Sequence, residues 1–267
     1  MTDPVLCLRE AGLAFGARTL WWGLDLDVRP GEFIAVLGAN GSGKTTLIRT
    51  ILGLQPLTTG SLTVGGRAPE RGSDFIGYIP QERSLAPPTP IRSRDLVAMG
   101  LDGQRFGPAW PNRRRRQRVE AILAAVGASD LADVPVHLLS GGEQQRVRIA
   151  QSLATDPAIL LCDEPLLSLD LNHQQAAVAL IDRRRRTRGT AVLFVTHEIN
   201  PVLPYVDRVL YLADGRFRMG TVDEVMTSAS LSNLYGCDVE VIRSGTRIIV
   251  AGLPESVASP ERDAVPR

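Results

Sequence analysis

The sequence predicts an α/β fold: a mainly parallel sheet with an N-terminal antiparallel β region and an inserted helical subdomain. Short, continuous apolar runs at 33–37, 158–162 and 190–196 are typical of strands that are covered on both faces of a sheet. Residues 24–28 alternate between apolar and acidic side chains, as expected of a strand with one exposed face. The apolar residues between about 83 and 155 have helical spacing, which places the helical subdomain there.

The other predicted elements are bounded by turn and helix-ending residues. In chain order they are a turn at 29–32, a helix after the loop 38–45 that ends at Gly53, a strand at 75–79 that ends at Pro80, a helix at 174–186, and a hairpin whose strands, 208–213 and 216–220, are joined by Asp214-Gly215. Residues 1–253 are predicted to form a single domain. The Pro-, Ser- and Glu-rich residues 254–267 are predicted to form a disordered tail.

Composition argues against several classes of protein. The 267 residues carry a formal net charge of +1, whereas a dedicated nucleic-acid-binding domain normally has a clear basic excess, so no nucleic acid is expected as a partner. No apolar run approaches the roughly 18 residues that suggest a membrane span, and the N-terminus lacks a basic-then-apolar leader. The cysteines and histidines are scattered, without disulfide or metal-ligand spacing.

A single lysine, Lys44, stands among 29 arginines. It belongs to the run Gly38-Ala39-Asn40-Gly41-Ser42-Gly43-Lys44-Thr45, which has the spacing of a P-loop, follows an apolar strand and opens a helix. Glycines let successive backbone N–H groups converge on a phosphate, and the helix N-terminus adds its positive dipole. We expect Lys44 to reach the β- and γ-phosphates as a compact charge and Thr45 to hold Mg²⁺ through its hydroxyl. The sequence therefore predicts a P-loop NTPase core.

Polar side chains follow three further predicted strands. Asp163 and Glu164 end the apolar strand 158–162, and Gln81 and His197 stand just after two other strands. Ligands of open parallel sheets bind beyond the carboxyl ends of the strands, so these side chains are expected at one edge. There Asp163 could orient the Mg²⁺ shell and Glu164 could polarise an attacking water.

A second helix N-terminus is predicted at Leu139-Ser140-Gly141-Gly142-Glu143. Ser140 and Glu143 have the spacing of a capping box, and the two glycines leave backbone N–H groups accessible to an anion. The capping box alone favours an ordinary capped helix, and a second phosphate-binding surface is the alternative.

These motifs, in this order, resemble the nucleotide-binding subunit of an ABC transporter. The resemblance covers about residues 5–218. Its parts are the P-loop 38–45, the Q-loop at Gln81, the signature 139–143, the Walker B pair Asp163-Glu164, the D-loop Ser168-Leu169-Asp170 and the H-loop at His197. Phe15 stands where the family places an aromatic residue that stacks on adenine, usually tyrosine.

The resemblance implies a role for each motif residue. Glu164 would be the general base, and His197 would contact the γ-phosphate and position the water. Mg²⁺ would be held by Thr45, Gln81 and Asp163. The residues implied to bind ATP within one subunit are Phe15, Gly38, Ala39, Asn40, Gly41, Ser42, Gly43, Lys44, Thr45, Thr46 and Gln81.

The resemblance also implies partners and a location. Two copies would pair head-to-tail, so that Ser140, Gly141 and Gly142 of one copy contact the γ-phosphate held by the other, with Asp170 at the joint. Integral membrane permease subunits would bind the helical subdomain, and an extracytoplasmic solute-binding protein would act indirectly. The chain would thus be peripheral, at the cytoplasmic face of the cell membrane.

Less widespread segments bear on the transported solute. Residues 151–157, 164–170, 196–212 and 231–236 resemble ATPase subunits of zinc, manganese or iron importers. Another solute such as an iron-siderophore is an alternative. A soluble ABC-type ATPase without a transport role is another, although such proteins typically carry two cassettes or a long coiled-coil insertion. A protein that holds nucleotide without turnover is disfavoured by Glu164 and His197.

Two runs of four arginines, 113–116 and 183–186, are typical of solvated helix faces. Contact of the first run with anionic lipid headgroups is the alternative interpretation.

Overall fold

The structure, a computed structural model, describes residues 3–81, 90–103, 113–167 and 169–252. The predicted tail 254–267, Ser168 of the D-loop and residues 83–89 and 104–112 of the predicted helical subdomain lie outside the described residues.

The described residues form eleven strands and seven α-helices. The strands are Leu6–Phe15 (β1), Arg18–Val28 (β2), Phe33–Gly38 (β3), Thr59–Val64 (β4), Ile76–Ile79 (β5), Ile159–Asp163 (β6), Ala191–Val195 (β7), Arg208–Ala213 (β8), Arg216–Gly220 (β9), Glu240–Ser244 (β10) and Arg247–Ala251 (β11). The α-helices are Lys44–Ile51 (α1), Ser93–Asp102 (α2), Arg113–Ala125 (α3), Gly141–Ser152 (α4), Leu171–Arg188 (α5), Val222–Val225 (α6) and Ser228–Tyr235 (α7).

The central sheet of the described residues has the strand order β5-β6-β7-β3-β8-β9. Its strands are parallel except for β9, which pairs antiparallel with β8. Every residue of β3, β6 and β7 is buried, because both faces of the sheet are covered, and this explains their continuous apolar runs. The carboxyl ends of these parallel strands meet at one edge, which brings the loops after β3, β5, β6 and β7 together.

The strand residues of the central sheet divide between two apolar clusters. Phe33, Cys162 and Phe194 face the cluster that contains α4 and α5, where the rings of Phe33 and Phe194 stack at 5.6 Å between centroids. Ile34 and Leu161 face the other cluster, which contains α1 and the first two strands. This alternation fixes the register of each buried strand, because a shift by one residue would exchange the two faces.

A smaller antiparallel sheet, with order β2-β1-β4, packs over α1. The predicted strand at 24–28 is the second half of the longer β2. The predicted hairpin has the observed bounds of β8 and β9.

Helices α2, α3 and α4 occupy the described part of the segment 83–155. They share one apolar cluster with the central sheet and α5. No helix of the described ranges is both long and apolar enough to cross a bilayer.

The interpretation of the second arginine run as a solvated face is wrong for two of its members. The side chains of Arg184 and Arg185 are only 17% and 12% exposed, whereas that of Arg186 is 65% exposed. Arg184 pairs with Asp156 and Arg185 with Asp207. These partners lie 28 and 22 residues away, so local sequence does not reveal them.

Candidate nucleotide-binding site

The loop between β3 and α1 requires glycine at two positions. At Gly38 (φ 143°) a methyl group would lie 2.1 Å from the carbonyl oxygen of Leu212, which no side chain tolerates. At Gly43 (φ 99°) it would meet the ring of Trp21 at 3.0 Å, in a backbone conformation that other residues rarely adopt. The loop therefore packs closely against Leu212 and Trp21 before the chain enters α1.

Lys44 is the first residue of α1 and is 5% exposed. Its Nζ donates hydrogen bonds to the carbonyl oxygens of Gly38 (2.7 Å) and Ala39 (2.9 Å), so the loop wraps around the ammonium group. Burial lowers the pKa of Lys44, and the carboxylates of Glu164 and Asp163 oppose that effect. A phosphate tail would offer this partly desolvated cation stronger acceptors than the two carbonyls.

The side chains of Thr45 and Asp163 place two oxygen atoms that could act as metal ligands beside Lys44. Thr45 Oγ1 donates to Asp163 Oδ1 at 3.1 Å, and Asp163 is 1% exposed. Burial raises the pKa of Asp163, while the Thr45 hydrogen bond lowers it. Mg²⁺ prefers hard oxygen ligands. The buried Asp163 carboxylate and the adjacent Thr45 hydroxyl are ligands of this kind. Ser42 Oγ, also buried, has no hydrogen-bond partner among the described residues.

Three strand ends meet at Glu164. Gln81 Nε2 donates to Glu164 Oε2 at 3.1 Å, and His197 Nδ1 lies 3.9 Å from the same oxygen. Glu164 itself has φ 48° and its N–H donates to the carbonyl oxygen of Val195 at 3.0 Å. Such a left-handed conformation at a non-glycine residue is uncommon and fixes where the carboxylate points.

A cleft of about 940 Å³ connects these groups. Phe15, which is 50% exposed, stands in its wall. Four wall residues were not predicted as site residues from the sequence: Arg18, Leu20, Leu167 and Tyr211. Arg18 donates from Nη2 to the carbonyl oxygen of Gly41 at 3.0 Å, and Tyr211 lies on β8, next to β3. In the sequence, Arg18 is marked only by its proximity to Phe15, and Tyr211 only by its position within the predicted strand 208–213.

The segment at the start of α4 forms a complete capping box. Ser140 N donates to Glu143 Oε2 (2.8 Å), and Glu143 N donates to Ser140 Oγ (3.4 Å). The Ser140 hydroxyl, which donates to Glu143 Oε2 at 2.7 Å, and the Ser140 N–H together hold the pKa of Glu143 below its usual range. Among the described residues that line the cleft, none comes from Ser140–Gly142. One chain therefore brings the predicted P-loop, Gln81, acidic pair and His197 together, but not the glycine-rich start of α4.

Asp170, the last residue of the predicted D-loop, caps α5 and lies outside the cleft lining. No cluster of three or more His, Cys, Asp or Glu side chains suited to a metal ion occurs within the described ranges.

The chain is similar to known proteins over most of its length. A profile of the family described as ABC transporter matches residues 22–167. The chain is 34% identical over 235 residues to "Zinc import ATP-binding protein ZnuC" of Halorhodospira halophila, covering 88% of this chain and 84% of the relative. It is 36% identical over 236 residues to ZnuC of Yersinia pestis (88% and 87%). It is 33% identical over 224 residues to "Zinc transport system ATP-binding protein TroB" of Treponema pallidum (84% and 84%).

Solved structures agree with the predicted fold class. A chain of an inward-facing ABC transporter superposes with a TM-score of 0.79 at 26% identity, covering 93% of this chain and 96% of that one. The protein cbiO1 of Clostridium perfringens, part of the ABC transporter complex cbiONQ, gives a TM-score of 0.74 at 25% identity (86% and 94%). The prediction of a P-loop NTPase core is thereby confirmed.

Proposed function

We propose that this chain, which belongs to the ABC transporter family, is the ATP-binding and ATP-hydrolysing subunit that powers import of a divalent transition metal, with zinc as the first candidate. The observation that carries the proposal is the meeting of Gln81, Glu164 and His197 beside the loop that encloses Lys44. The choice of metal rests on the relatives that are named zinc import or zinc transport proteins.

The loop 38–46 binds the phosphate tail in this proposal. Its backbone N–H groups and the dipole of α1 attract the anion, and Lys44 exchanges its two carbonyl acceptors for phosphate oxygens. Phe15 offers its exposed ring to the adenine. The buried charge of Lys44, costly in the free protein, is thereby neutralised when ATP binds.

Thr45, Asp163 and Gln81 are the residues that would hold Mg²⁺. When bound, the ion would neutralise charge on the β- and γ-phosphates. The Thr45–Asp163 hydrogen bond already places a hydroxyl and a carboxylate side by side. Gln81 adds an amide oxygen when its nitrogen is bonded to Glu164.

Glu164 is the general base. It accepts a proton from the water that attacks the γ-phosphorus, the bond to the β-phosphate oxygen breaks, and ADP and phosphate leave. General-base assistance of this kind contributes about 10²–10⁴-fold in rate. Gln81 fixes the carboxylate by its hydrogen bond, and His197, 3.9 Å from the same oxygen, orients the water against the γ-phosphate.

A second copy of the chain completes the site. Ser140, Gly141 and Gly142 of one subunit contact the γ-phosphate held by Lys44 of the other, and Asp170 lies at the joint. This pairing is supported by the separation of Ser140–Gly142 from the cleft of their own chain. The γ-phosphate then bridges the two subunits, and its loss on hydrolysis releases them.

Residues 1–253 act as one ATPase domain, and the helical subdomain at about 83–155 contacts the membrane permease. The chain is thereby held at the cytoplasmic face of the membrane. A solute-binding protein on the other side delivers the metal, which never touches this chain.

The test uses cells that lack this gene and carry plasmid copies of it. We expect the wild-type gene to restore the cell's zinc content and growth in chelated medium, and Glu164→Gln to fail although it is expressed equally. Arg186→Ala, on an exposed side chain, is the matched control and should restore uptake. Restoration of manganese or iron without zinc would overturn the choice of metal. Restoration by Glu164→Gln, or no Mg²⁺-dependent ATP hydrolysis by the complex with its permease, would overturn the function.

A further inference from the structure

His173, which the sequence left without a role, is bonded twice to Asp170. Its backbone N–H donates to Asp170 Oδ1 at 3.0 Å, and its ring Nδ1 lies 2.6 Å from Asp170 Oδ2. Because the ionised carboxylate only accepts, Nδ1 carries the proton and donates. The two bonds hold the pKa of Asp170 below its usual range.

The two bonds have different origins. The backbone bond is an ordinary helix cap, which any residue at position 173 can make. The ring bond needs an imidazole or another side-chain donor at this position. It engages the remaining carboxylate oxygen, so that both oxygens of Asp170 are bonded to His173.

The same ring packs against the start of α4. A methyl group added at Gly142 would lie 2.0 Å from Cδ2 and 2.6 Å from Nε2 of His173. The imidazole therefore fills the space beside Gly142 and leaves room for no side chain there. Next to it, Leu169 Cδ2 lies 3.7 Å from the corresponding position at Gly141.

We propose that His173 is a positioning residue that locks Asp170 to the segment Ser140–Gly142. This rests on the proposed function, in which both features are what one subunit presents to its partner's ATP. With the lock in place the two features approach the partner as one rigid surface. Without it, the Asp170 side chain and the start of α4 move independently. Dimer formation around ATP then costs more conformational entropy, because both must be ordered when the subunits associate.

The chain carries a second support for this arrangement from the same helix. Gln174 Nε2 donates to the carbonyl oxygen of Leu169 at 3.1 Å, which ties the residue before Asp170 to α5. Adjacent residues of α5 thus hold adjacent residues of the D-loop. Of the two, only His173 also touches α4 by the contacts above.

The experiment measures binding and closure separately. In the Glu164→Gln background, we expect His173→Ala to raise the ATP concentration for half-maximal dimer formation at least fivefold, measured by sedimentation. The affinity of the monomer for a fluorescent ATP analogue should change less than twofold, because the cleft is untouched. His173→Asn keeps a side-chain donor for Asp170 but not the ring beside Gly142, so it should recover part of the dimer. His137→Ala is the control, since it removes an exposed histidine just before the same segment.

Each outcome bears on the proposal. Unchanged dimer formation by His173→Ala, or equal loss in His173→Ala and His173→Asn, overturns the lock. A loss of analogue binding that matches the loss of dimer overturns it too, because the defect then lies in the cleft or in folding. If Glu164→Gln with native His173 never dimerises with ATP, alone or with the permease, the two-subunit site itself fails and this inference with it.

Discussion

The side chain of Asn200 is paired with the backbone of Ile248 through two hydrogen bonds. Nδ2 donates to the carbonyl oxygen at 2.9 Å, and Oδ1 accepts from the N–H at 2.9 Å. Asn200 lies three residues after His197, and Ile248 lies in β11. The pair therefore attaches the C-terminal hairpin to the loop that carries His197, beside a cavity of about 270 Å³ that both line.

Asn200→Ala removes this attachment. We expect faster hydrogen exchange in β10 and β11, a fall in unfolding free energy of about 1–2 kcal/mol from two lost hydrogen bonds, and a several-fold lower kcat as the His197 loop loosens. Exchange mass spectrometry and ATP turnover measure the two effects. The control is Asn233→Ala on an exposed face of α7. An unchanged kcat alongside faster exchange would show that His197 is positioned without the hairpin.

Glu164→Gln keeps an oxygen that can accept from Gln81 but cannot take a proton from water. We therefore expect unchanged ATP affinity, a kcat lower by about 10²–10⁴-fold, and accumulation of an ATP-bound dimer. Phosphate release and sedimentation measure these effects. A residual rate within tenfold of the wild type would assign proton removal to another group.

Lys44 supplies a chemical probe of the loop, because the chain has no other lysine. An amine acylating reagent at neutral pH should modify Lys44 far more slowly than the N-terminal amine, since Lys44 is 5% exposed and bonded to two carbonyls. MgATP should slow the acylation of Lys44 further. It should not change the acylation rate of the N-terminal amine, which serves as an internal control. Mass spectrometry of the labelled peptides gives both rates. Equal labelling with and without nucleotide contradicts contact between Lys44 and the phosphates.

The sequence predicted what short-range patterns encode. The P-loop, the buried strands and the capping box of Ser140 depend on neighbouring residues, and each is observed near its predicted position. The attachment of Asn200 to Ile248 depends on residues 48 apart and was not predicted. The hairpin β10–β11 was also missed, although its strands pair across the short turn Gly245-Thr246.

In the candidate site too, the residues that local patterns specify were predicted and those that depend on long-range packing were not. Residues just after strands, such as Glu164, were predicted as site residues because the carboxyl ends of parallel strands meet at one edge of the sheet. His173 was missed because its contact with Gly142 joins two helices whose packing no local pattern specifies. Function at this site is therefore easier to predict from sequence than the supports that hold it.

Asp163→Asn should stabilise the nucleotide-free protein while abolishing Mg²⁺-dependent hydrolysis. Burial raises the pKa of Asp163 above its unfolded value, so the folded state holds this proton more tightly and the ionised form costs stability at neutral pH. As pH falls through the raised pKa, the wild type becomes protonated and the difference in Tm between variant and wild type should shrink. Thermal unfolding in a chelator from pH 7.5 to 5 measures this difference.

The control for Asp163→Asn is Asp214→Asn, which removes an exposed carboxylate at a hairpin turn. Its Tm should follow the wild type across the same range. If Asp163→Asn lowers Tm at neutral pH, the attraction between Asp163 and Lys44 outweighs the cost of burying the carboxylate.

Arg185 and Arg186 are adjacent, yet we expect opposite results from replacing them with alanine. Arg185 Nη1 lies 2.8 Å from Asp207 Oδ2 and 3.1 Å from the carbonyl oxygen of Gly31, and its Nε lies 2.8 Å from Asp182 Oδ1. Its side chain is 12% exposed, against 65% for Arg186.

Loss of Arg185 leaves the nearly buried Asp182 with one exposed cationic partner and frees the turn before β3, so Arg185→Ala should lower the unfolding free energy by about 2–3 kcal/mol. Arg186→Ala loses only an exposed ion pair and should stay within about 0.5 kcal/mol of the wild type. Urea denaturation measures both. Equal, small losses of unfolding free energy would mean that the attraction between Arg185 and its carboxylate partners only compensates for the cost of desolvating these charges. In that case the turn before β3 is held by the hydrogen bond from Phe33 N to Asp207 Oδ2 (2.8 Å), which needs no arginine.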